Sequence, residues 1–291
     1  MKRCEKALLN FVQQLMQHLI KSYLKFLWKS TNAHGVHSPF VFDLVRKCFY
    51  DRTDYPNYKI LKDYRNSLLQ NKNTIEVTDF GAGSRVFKSN TRAINKIAKN
   101  AGISRNDAKL LYKIGNYFQP KNVLEIGTSL GLATSALVNT NRNTVTLEGC
   151  PETSKVAQSQ FQKFNFNVNY VVAKFEDYLQ NLNLEPKNFD LIYFDGNHSK
   201  EATLSYFELL LPTISNETVW IFDDIHWSSG MEEAWEIIKK HPKVTVTIDT
   251  FQWGFVFFRK EQEKEHFIIR TSKSFFLDAF LGAKNLWGLL Q

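Results

Sequence analysis

Three aspartates at the ends of apolar runs are the residues of this chain best suited to chemistry. Asp195 closes FDLIYFD and is followed by Gly196, Asn197 and His198, while Asp223 and Asp224 close TVWIFDD. Short apolar runs bounded by turn residues read as buried strands. In open α/β sheets, ligands collect at the carboxyl ends of the central strands. Three carboxylates meeting there repel one another unless a cation stands among them. An oxygen-only set suits a hard ion, Mg²⁺ or its competitors Ca²⁺ and Mn²⁺, and not zinc. The competing reading is that Asp223 and Asp224 cap the segment that follows, IHWSSGMEEAW. His198, three residues after Asp195, is a candidate base because an imidazole titrates near working pH. His226, directly after the aspartate pair and beside Trp227, is a second.

The elements that must hold these groups are legible as an alternation. NVLEIG, TVTLEG, NYVVA, FDLIYFDG and TVWIFDD are separated by lengths of chain that suit helices, which predicts a mostly parallel sheet covered on both faces. KVTVTIDTFQWGFVFFR, residues 243–259, reads as two strands joined by a short loop, so the sheet ends in an antiparallel hairpin. Helices are expected near Lys59–Leu69, Thr91–Lys99, Arg105–Phe118 and Gly131–Thr140. At the start, Leu8, Val12, Leu15, Leu19, Tyr23 and Leu27 fall three and four apart, one stripe of a helix with Lys21, Lys25 and Lys29 off it. That helix packs on its own domain or lies on a membrane surface.

Two glycine-bearing stretches compete as the nucleotide loop: TDFGAGSR, residues 78–85, and VLEIGTSLGLAT, residues 123–134. A strand-to-helix glycine loop should be followed about 20 residues on by an acid at the next strand end, which takes the ribose hydroxyls. From Asp79 that distance lands in AGISRNDAK, a helix entry. From Glu125 it lands on Glu148, which closes TVTLE, so VLEIGTSLG is the cofactor loop. Its Gly127 and Gly131 do not make the G-x-G-x-x-G that cradles a dinucleotide pyrophosphate.

With these stretches in hand, the sequence resembles the class I S-adenosylmethionine-dependent methyltransferases. VLEIGTSLGLAT, TLEGCP, FDLIYFDGNH and the VTVTIDTFQWGFVFF hairpin look like the catechol and caffeoyl-coenzyme A type of O-methyltransferase, over roughly residues 104–260. HGVHSPF paired with DFGAGSR is similar to a Bacteroidetes-type branch. The resemblance implies a Rossmann-like seven-stranded sheet, S-adenosylmethionine as cofactor, and Mg²⁺ or another hard divalent ion held by Asp195, Asp223 and Asp224. It implies that Gly127, Thr128 and Ser129 line the methionine end and sugar, that Glu148 binds the ribose, and that Lys174 and Phe175 flank the adenine. Glu125, Gly131, Gly149 and Asp195 complete the cofactor set. The family carries Asn where this chain has Asp224, and a basic lysine where it has His198, so Asp195 and His198 become the expected catalytic residues.

The organisation expected is an N-terminal mainly helical extension over 1–103, a methyltransferase domain over 104–260 and a tail over 261–291. Residues 1–115 carry 21 Lys and Arg against 8 Asp and Glu, whereas the remainder carries 16 against 21. A small hydroxylated acceptor is the expected partner. The basic N-terminal part keeps open an RNA, for instance tRNA, O-methyltransferase, and a non-catalytic cofactor-binding or membrane-surface protein is a third reading. The run FDGN lacks the Pro-Pro of base-amine methyltransferases. Cys4, Cys48 and Cys150 form no disulfide or metal pattern, so a reducing, cytoplasmic setting is expected. HGVHSPF and DFGAGSR are expected to fold over the carboxylate rim, bringing His37 or Arg85 to the substrate.

Overall fold

The computed structural model describes residues 2–78, 80, 89–182 and 189–272, with side chains from residue 15 onward. It opens on α1 (Lys2–Lys29), α2 (Pro39–Leu44) with a π-turn over Val45–Phe49, and α3 (Asn57–Gln70). β1 (Thr74–Glu76) and β2 (Thr91–Ala93) pair antiparallel by themselves, and α4 (Ile94–Asn100) and α5 (Arg105–Phe118) follow. The alternating part is β3 (Asn122–Ile126), α6 (Thr134–Leu137), β4 (Asn143–Glu148), α7 (Pro151–Lys163), β5 (Asn169–Val172) and α8 (Phe175–Gln180). It continues through β6 (Leu191–Phe194), α9 (Lys200–Leu210), β7 (Val219–Asp223), α10 (Ser229–Lys240), β8 (Val246–Asp249), β9 (Trp253–Phe257) and β10 (Glu265–Ile268).

Among the described residues the main sheet has eight strands in the order β10-β8-β9-β7-β6-β3-β4-β5. All neighbouring pairs are parallel except those made by β9, which runs antiparallel to β7 and β8. The mixed α/β fold read from the sequence is therefore present, with one strand more than expected. β10 pairs with β8 inside the segment 261–291 that reads as a tail, and Arg270 anchors it by donating to the carbonyl and hydroxyl of Ser30, each at 2.8 Å. The rest of that tail, from residue 273, lies outside the described residues.

Successive strand residues are buried on opposite faces, with the period of two that a strand imposes. Val123, Leu191, Tyr193, Val219 and Ile221 face a core shared with Val41, Leu44, Phe49 and Leu61 from the N-terminal helices and with α5. Leu124, Ile192, Phe194, Trp220 and Phe222 face the other side, against α8, α9 and α10. Residues 33–61 thus cover one face of the sheet. Several N-terminal cations serve that packing: Arg65 is buried and donates to Ala98 O, and Lys113 donates to the carbonyls of Phe49 and Asp51, both at 3.0 Å.

Four local expectations are corrected. The stretch Thr91–Lys99 begins as a strand, and its helix starts at Ile94. The helix expected over Gly131–Thr140 shrinks to the single turn α6. Among the described side chains of α1 the buried positions are Ser22 and Phe26, with Ser30 just after the helix, and not the Leu19–Tyr23–Leu27 stripe, because Phe26 packs on Phe251 and the small serines admit Glu232 and Arg270. HGVHSPF sits at the far end of the sheet from the aspartates. Phe40 packs edge-on against Phe257 at 5.0 Å, and Phe257 pairs with Val219, at the opposite end of β7 from Asp223. His37 therefore does not reach the rim, and Arg85 lies outside the described residues.

Candidate active site

The carboxyl ends of β3, β4, β6 and β7 form one rim, as the parallel pairing requires. Glu148 ends β4, Asp223 ends β7, and Asp195 follows β6. Gly127 lets the β3 loop touch the β6 loop: its φ is +104°, and a Cβ there would meet the carbonyl oxygen of Asp195 at 2.1 Å. A side chain at this position would force the two loops apart.

A cavity of about 410 Å³ opens beside this contact. Gly127, Ser129, Glu148, Gly149, Lys174, Phe175 and Asp195 line it, so seven of the residues read as cofactor-binding come together. Glu148 is held in place from two sides, accepting from the backbone N–H of Ser129 at 2.7 Å and of Cys150 at 2.8 Å. A carboxylate fixed in this way accepts hydroxyl hydrogen bonds without reorganising.

Three residues of the expected set stand behind the cavity instead of lining it. Thr128 is buried, with its hydroxyl 2.5 Å from that of Thr146, and Gly131 faces Tyr64 and Phe161. Glu125 is fully buried and accepts from Thr134 at 2.5 Å and Thr146 at 2.6 Å. Burial pushes its carboxyl up to about 7, against the pull of those two hydroxyls. Glu125 is thus a structural acid bracing the loop, not a ligand contact.

The same cavity is bordered by Val77, Thr78, Phe80 and Arg92 from the segment around β1 and β2. Phe80 lies over Gly149, where a Cβ would come within 2.9 Å of its ring, and the Lys174 ammonium stands 6.0 Å from the ring centroid. Thr78 and Phe80 of TDFGAGSR therefore border the cofactor side of the rim, and the other residues of that stretch lie outside the described residues. Sequence reasoning missed Phe80, and also Tyr206, whose hydroxyl accepts from Asn197 and whose ring meets Phe175 edge-on at 6.1 Å. An aromatic in a glycine-rich loop was the available signal for Phe80. Nothing local pointed to Tyr206.

At the aspartates the structure joins two of the three. Asp195 donates a carboxyl hydrogen bond to Asp223. Burial, then the charge of Asp223, holds Asp195 well above the usual carboxylate range. Burial and the charge of Asp224 push Asp223 up to about 6, opposed by His198 and by the amide of Gln252. Asp224 adopts a left-handed φ of +54° and turns to Gln252, whose Nε2 donates to both Asp223 and Asp224 at 2.8 Å. His198 Nε2 stands 3.6 Å from Asp195 Oδ1. Among the described residues no group of three or more His, Cys, Asp or Glu is arranged to hold a metal ion. The three-carboxylate set is in this structure a pair plus a neighbour. The pair still fits a cation, because two half-buried carboxyls in contact need either a shared proton or a metal to offset their repulsion.

His226 belongs to a different cluster. Its Nδ1 is 2.7 Å from Glu232 and its Nε2 2.9 Å from Asp249. Burial lowers its pKa, but the two carboxylate hydrogen bonds outweigh burial and raise it to about 9.

Comparison with known proteins settles the scaffold. Residues 124–225 match the family model of a methyltransferase domain. The match is to a methyltransferase domain over these residues alone. Three solved structures share this fold. SAH-bound PaMTH1 of Podospora anserina superposes with a TM-score of 0.54 at 15% identity, over 77% of this chain and 97% of that one. Cofactor-bound Rv0187 from MTB gives 0.50 at 19%, over 72% and 92%. The O-methyltransferase TomG from Streptomyces achromogenes, in complex with SAM, gives 0.50 at 15%, over 71% and 91%. No curated protein sequence matches the chain. No helix among the described residues is long and apolar enough to cross a membrane.

Proposed function

We propose that the protein transfers the methyl group of S-adenosylmethionine to an oxygen of a small hydroxylated, catechol-like acceptor. The observation that carries this reading is the placement of the Glu148-lined cavity directly against the Asp195–Asp223 pair, within the methyltransferase domain. The adenosine end of the cofactor belongs with Glu148, Lys174, Phe175 and Phe80, and its sulfonium end with Gly127 and Asp195. In the transfer the bond from sulfur to methyl breaks with its electron pair left on sulfur, and the acceptor oxygen supplies the pair of the new bond. The proton leaving that oxygen goes to the ionised Asp223 or to His198, both of which face Asp195. Little else is asked of the protein, since the donor is already activated and alignment supplies most of the effect.

A hard divalent ion, Mg²⁺ for preference, would be held by Asp195 and Asp223 in place of their proton, with Asp224 joining once Gln252 yields. Bound there, it would favour the deprotonated acceptor oxygen. The enzyme is proposed to work in the cytoplasm. The test has two parts. S-adenosylmethionine binding is measured by calorimetry, and transfer of labelled methyl into the small-molecule fraction of a cell extract is followed with Mg²⁺ and with EDTA. Label in RNA instead would sink the small-acceptor reading, and label insensitive to EDTA would remove the ion.

A further inference from the structure

A cavity of about 430 Å³ lies between α3 and α5 and shares no lining residue with the cofactor cavity. The sequence builds it from two helix faces. Tyr58, Lys62 and Arg65 fall four and three apart along α3, and Arg105 and Lys109 fall four apart along α5. Residues at these spacings share a face, so each helix turns a basic row into the cavity. Leu61 and Ala108, both buried, give it an apolar floor.

Charge sets this cavity apart. Five of its lining residues are cations, Lys59, Lys62, Arg65, Arg105 and Lys109, and none is an aspartate or glutamate. In the larger cavity between α1 and α10 the lysines face acids instead, with Lys200 on Glu233 at 2.6 Å and Lys239 on Glu236 at 2.7 Å. Between α3 and α5 Lys59 holds a carboxylate, Asp63 at 2.8 Å, and Lys109 lies over the Tyr58 ring at 4.5 Å. Among the described residues Lys62 and Arg105 meet no carboxylate.

Arg65 carries the argument furthest. It is 8% exposed; its Nη1 donates to the Ala98 carbonyl at 3.4 Å, and its buried Nη2 has no hydrogen-bond partner. A guanidinium withdrawn from water without a counter-charge is costly. Burial, and then the like charge of Arg105, lower its pKa from the ordinary value. A cleft lined by one sign of charge concentrates ligands of the other.

We infer that this cavity binds a compact, multiply charged phosphate group, a di- or triphosphate. Lys62, Arg105 and Lys109 meet its oxygens at the rim, as ammonium and guanidinium groups do, and Arg65 adds its charge from beneath. Walls on two helices suit a compact anion and not an extended strand. The site does not depend on the methyl-transfer reading. α4 stands between the two cavities, since Ala98 receives Arg65 while Ile97 and Ala101 border the cofactor cavity.

The test is calorimetry on the full chain in metal-free buffer, with orthophosphate, tripolyphosphate, ATP and an RNA hairpin as probes. Tripolyphosphate should bind one to one, about tenfold or more tighter than orthophosphate, and more weakly as salt is added. Lys62→Glu and Arg105→Glu, both at exposed positions, should each weaken it by about tenfold, the scale of one charged hydrogen bond. Lys240→Glu, the same charge change on α10, should leave it unchanged. ATP binding better than tripolyphosphate would put the phosphates on a nucleoside, and equal affinity would point to a free polyphosphate; both outcomes support the site. Affinity that fails to separate tripolyphosphate from orthophosphate, survives both groove variants or falls equally in Lys240→Glu would overturn it. RNA binding tighter than that of tripolyphosphate, and lost in the same two variants, would make this face a nucleic-acid contact and overturn the compact ligand.

Discussion

Two acid–histidine clusters lie near the same end of the sheet, and they are built on opposite principles. Around His226, one imidazole is clamped by two carboxylates, Glu232 from α10 and Asp249 from β8, each within hydrogen-bonding distance. The hydrogen bond and charge of His226 hold Glu232 down to about 2 in spite of its partial burial, and His226 itself is raised to about 9. Each carboxylate there has a cation to pair with. Around Asp195 the balance is missing: two carboxyls touch, a third stands nearby, and His198 is at 3.6 Å. Perturbed titration alone does not separate structure from chemistry, since both clusters have it. The sign does. The compensated cluster stabilises the charged forms, whereas the rim destabilises them and so is primed to take up a proton or a cation.

The largest expected effect on function is at Asp195. Asp195→Asn should lower methyl transfer by about a hundredfold or more, the scale of general acid–base catalysis, because it replaces the carboxyl that positions both proposed proton acceptors, Asp223 and His198. Its melting temperature should hold or rise, because one of two half-buried acids that oppose each other's ionisation is gone. A melt that drops together with activity would put Asp195 in the structural class. The converse experiment is His226→Ala, which leaves Glu232 and Asp249 facing a hole. A loss of stability on the order of 3 kcal/mol is expected in chemical denaturation, with S-adenosylmethionine affinity unchanged.

The pH dependence of unfolding sharpens the contrast. His226 binds its proton more tightly folded than unfolded, so its contribution is complete below about 6.5 and is lost as pH rises through about 9. Glu232 is depressed, so its contribution is complete above its ordinary 4.5 and lost as pH falls toward about 2. Denaturation midpoints should therefore decline from pH 6.5 to 9 in the wild type. In His226→Gln that decline should be largely absent, and an unchanged slope would show that His226 is not the group responsible.

Smaller effects are expected at the uncharged neighbours. Phe80→Ala should weaken S-adenosylmethionine binding by about tenfold, the value of one aromatic contact, without altering the melt. Unaltered affinity would detach TDFGAGSR from the cofactor. Gln252→Ala removes the amide that Asp223 and Asp224 share, and should change methyl transfer by only a few-fold. If Asp224 then joins the pair, sensitivity to EDTA should increase, which titration of activity with the chelator would reveal.

Much of this was legible in the chain itself. Alternating apolar runs fixed β3 through β9, and Arg105–Phe118 was bounded to the residue because Ser104 caps it and Pro120 ends it. The interval from Glu125 to Glu148 picked out the turn between β3 and α6, and not TDFGAGSR, as the strand–helix turn of the main sheet. What failed was orientation of side chains within that loop: Glu125 has the type of a ligand but points into the core, where Thr134 and Thr146 receive it.

The sequence by itself determined β3 through β9, which glycine loop follows β3, and that acids gather at the strand ends. These follow from periodicity and from spacings of a few residues, which neighbouring positions impose on one another. Tertiary structure alone decided that Asp195 pairs with Asp223 while Asp224 goes to Gln252, that His226 is claimed by Glu232 and Asp249, and that Phe80 reaches Gly149. Each of those contacts joins side chains from separate elements. Local pattern carries no information on such pairing, because the partner is chosen by how the helices and strands pack and not by distance along the chain.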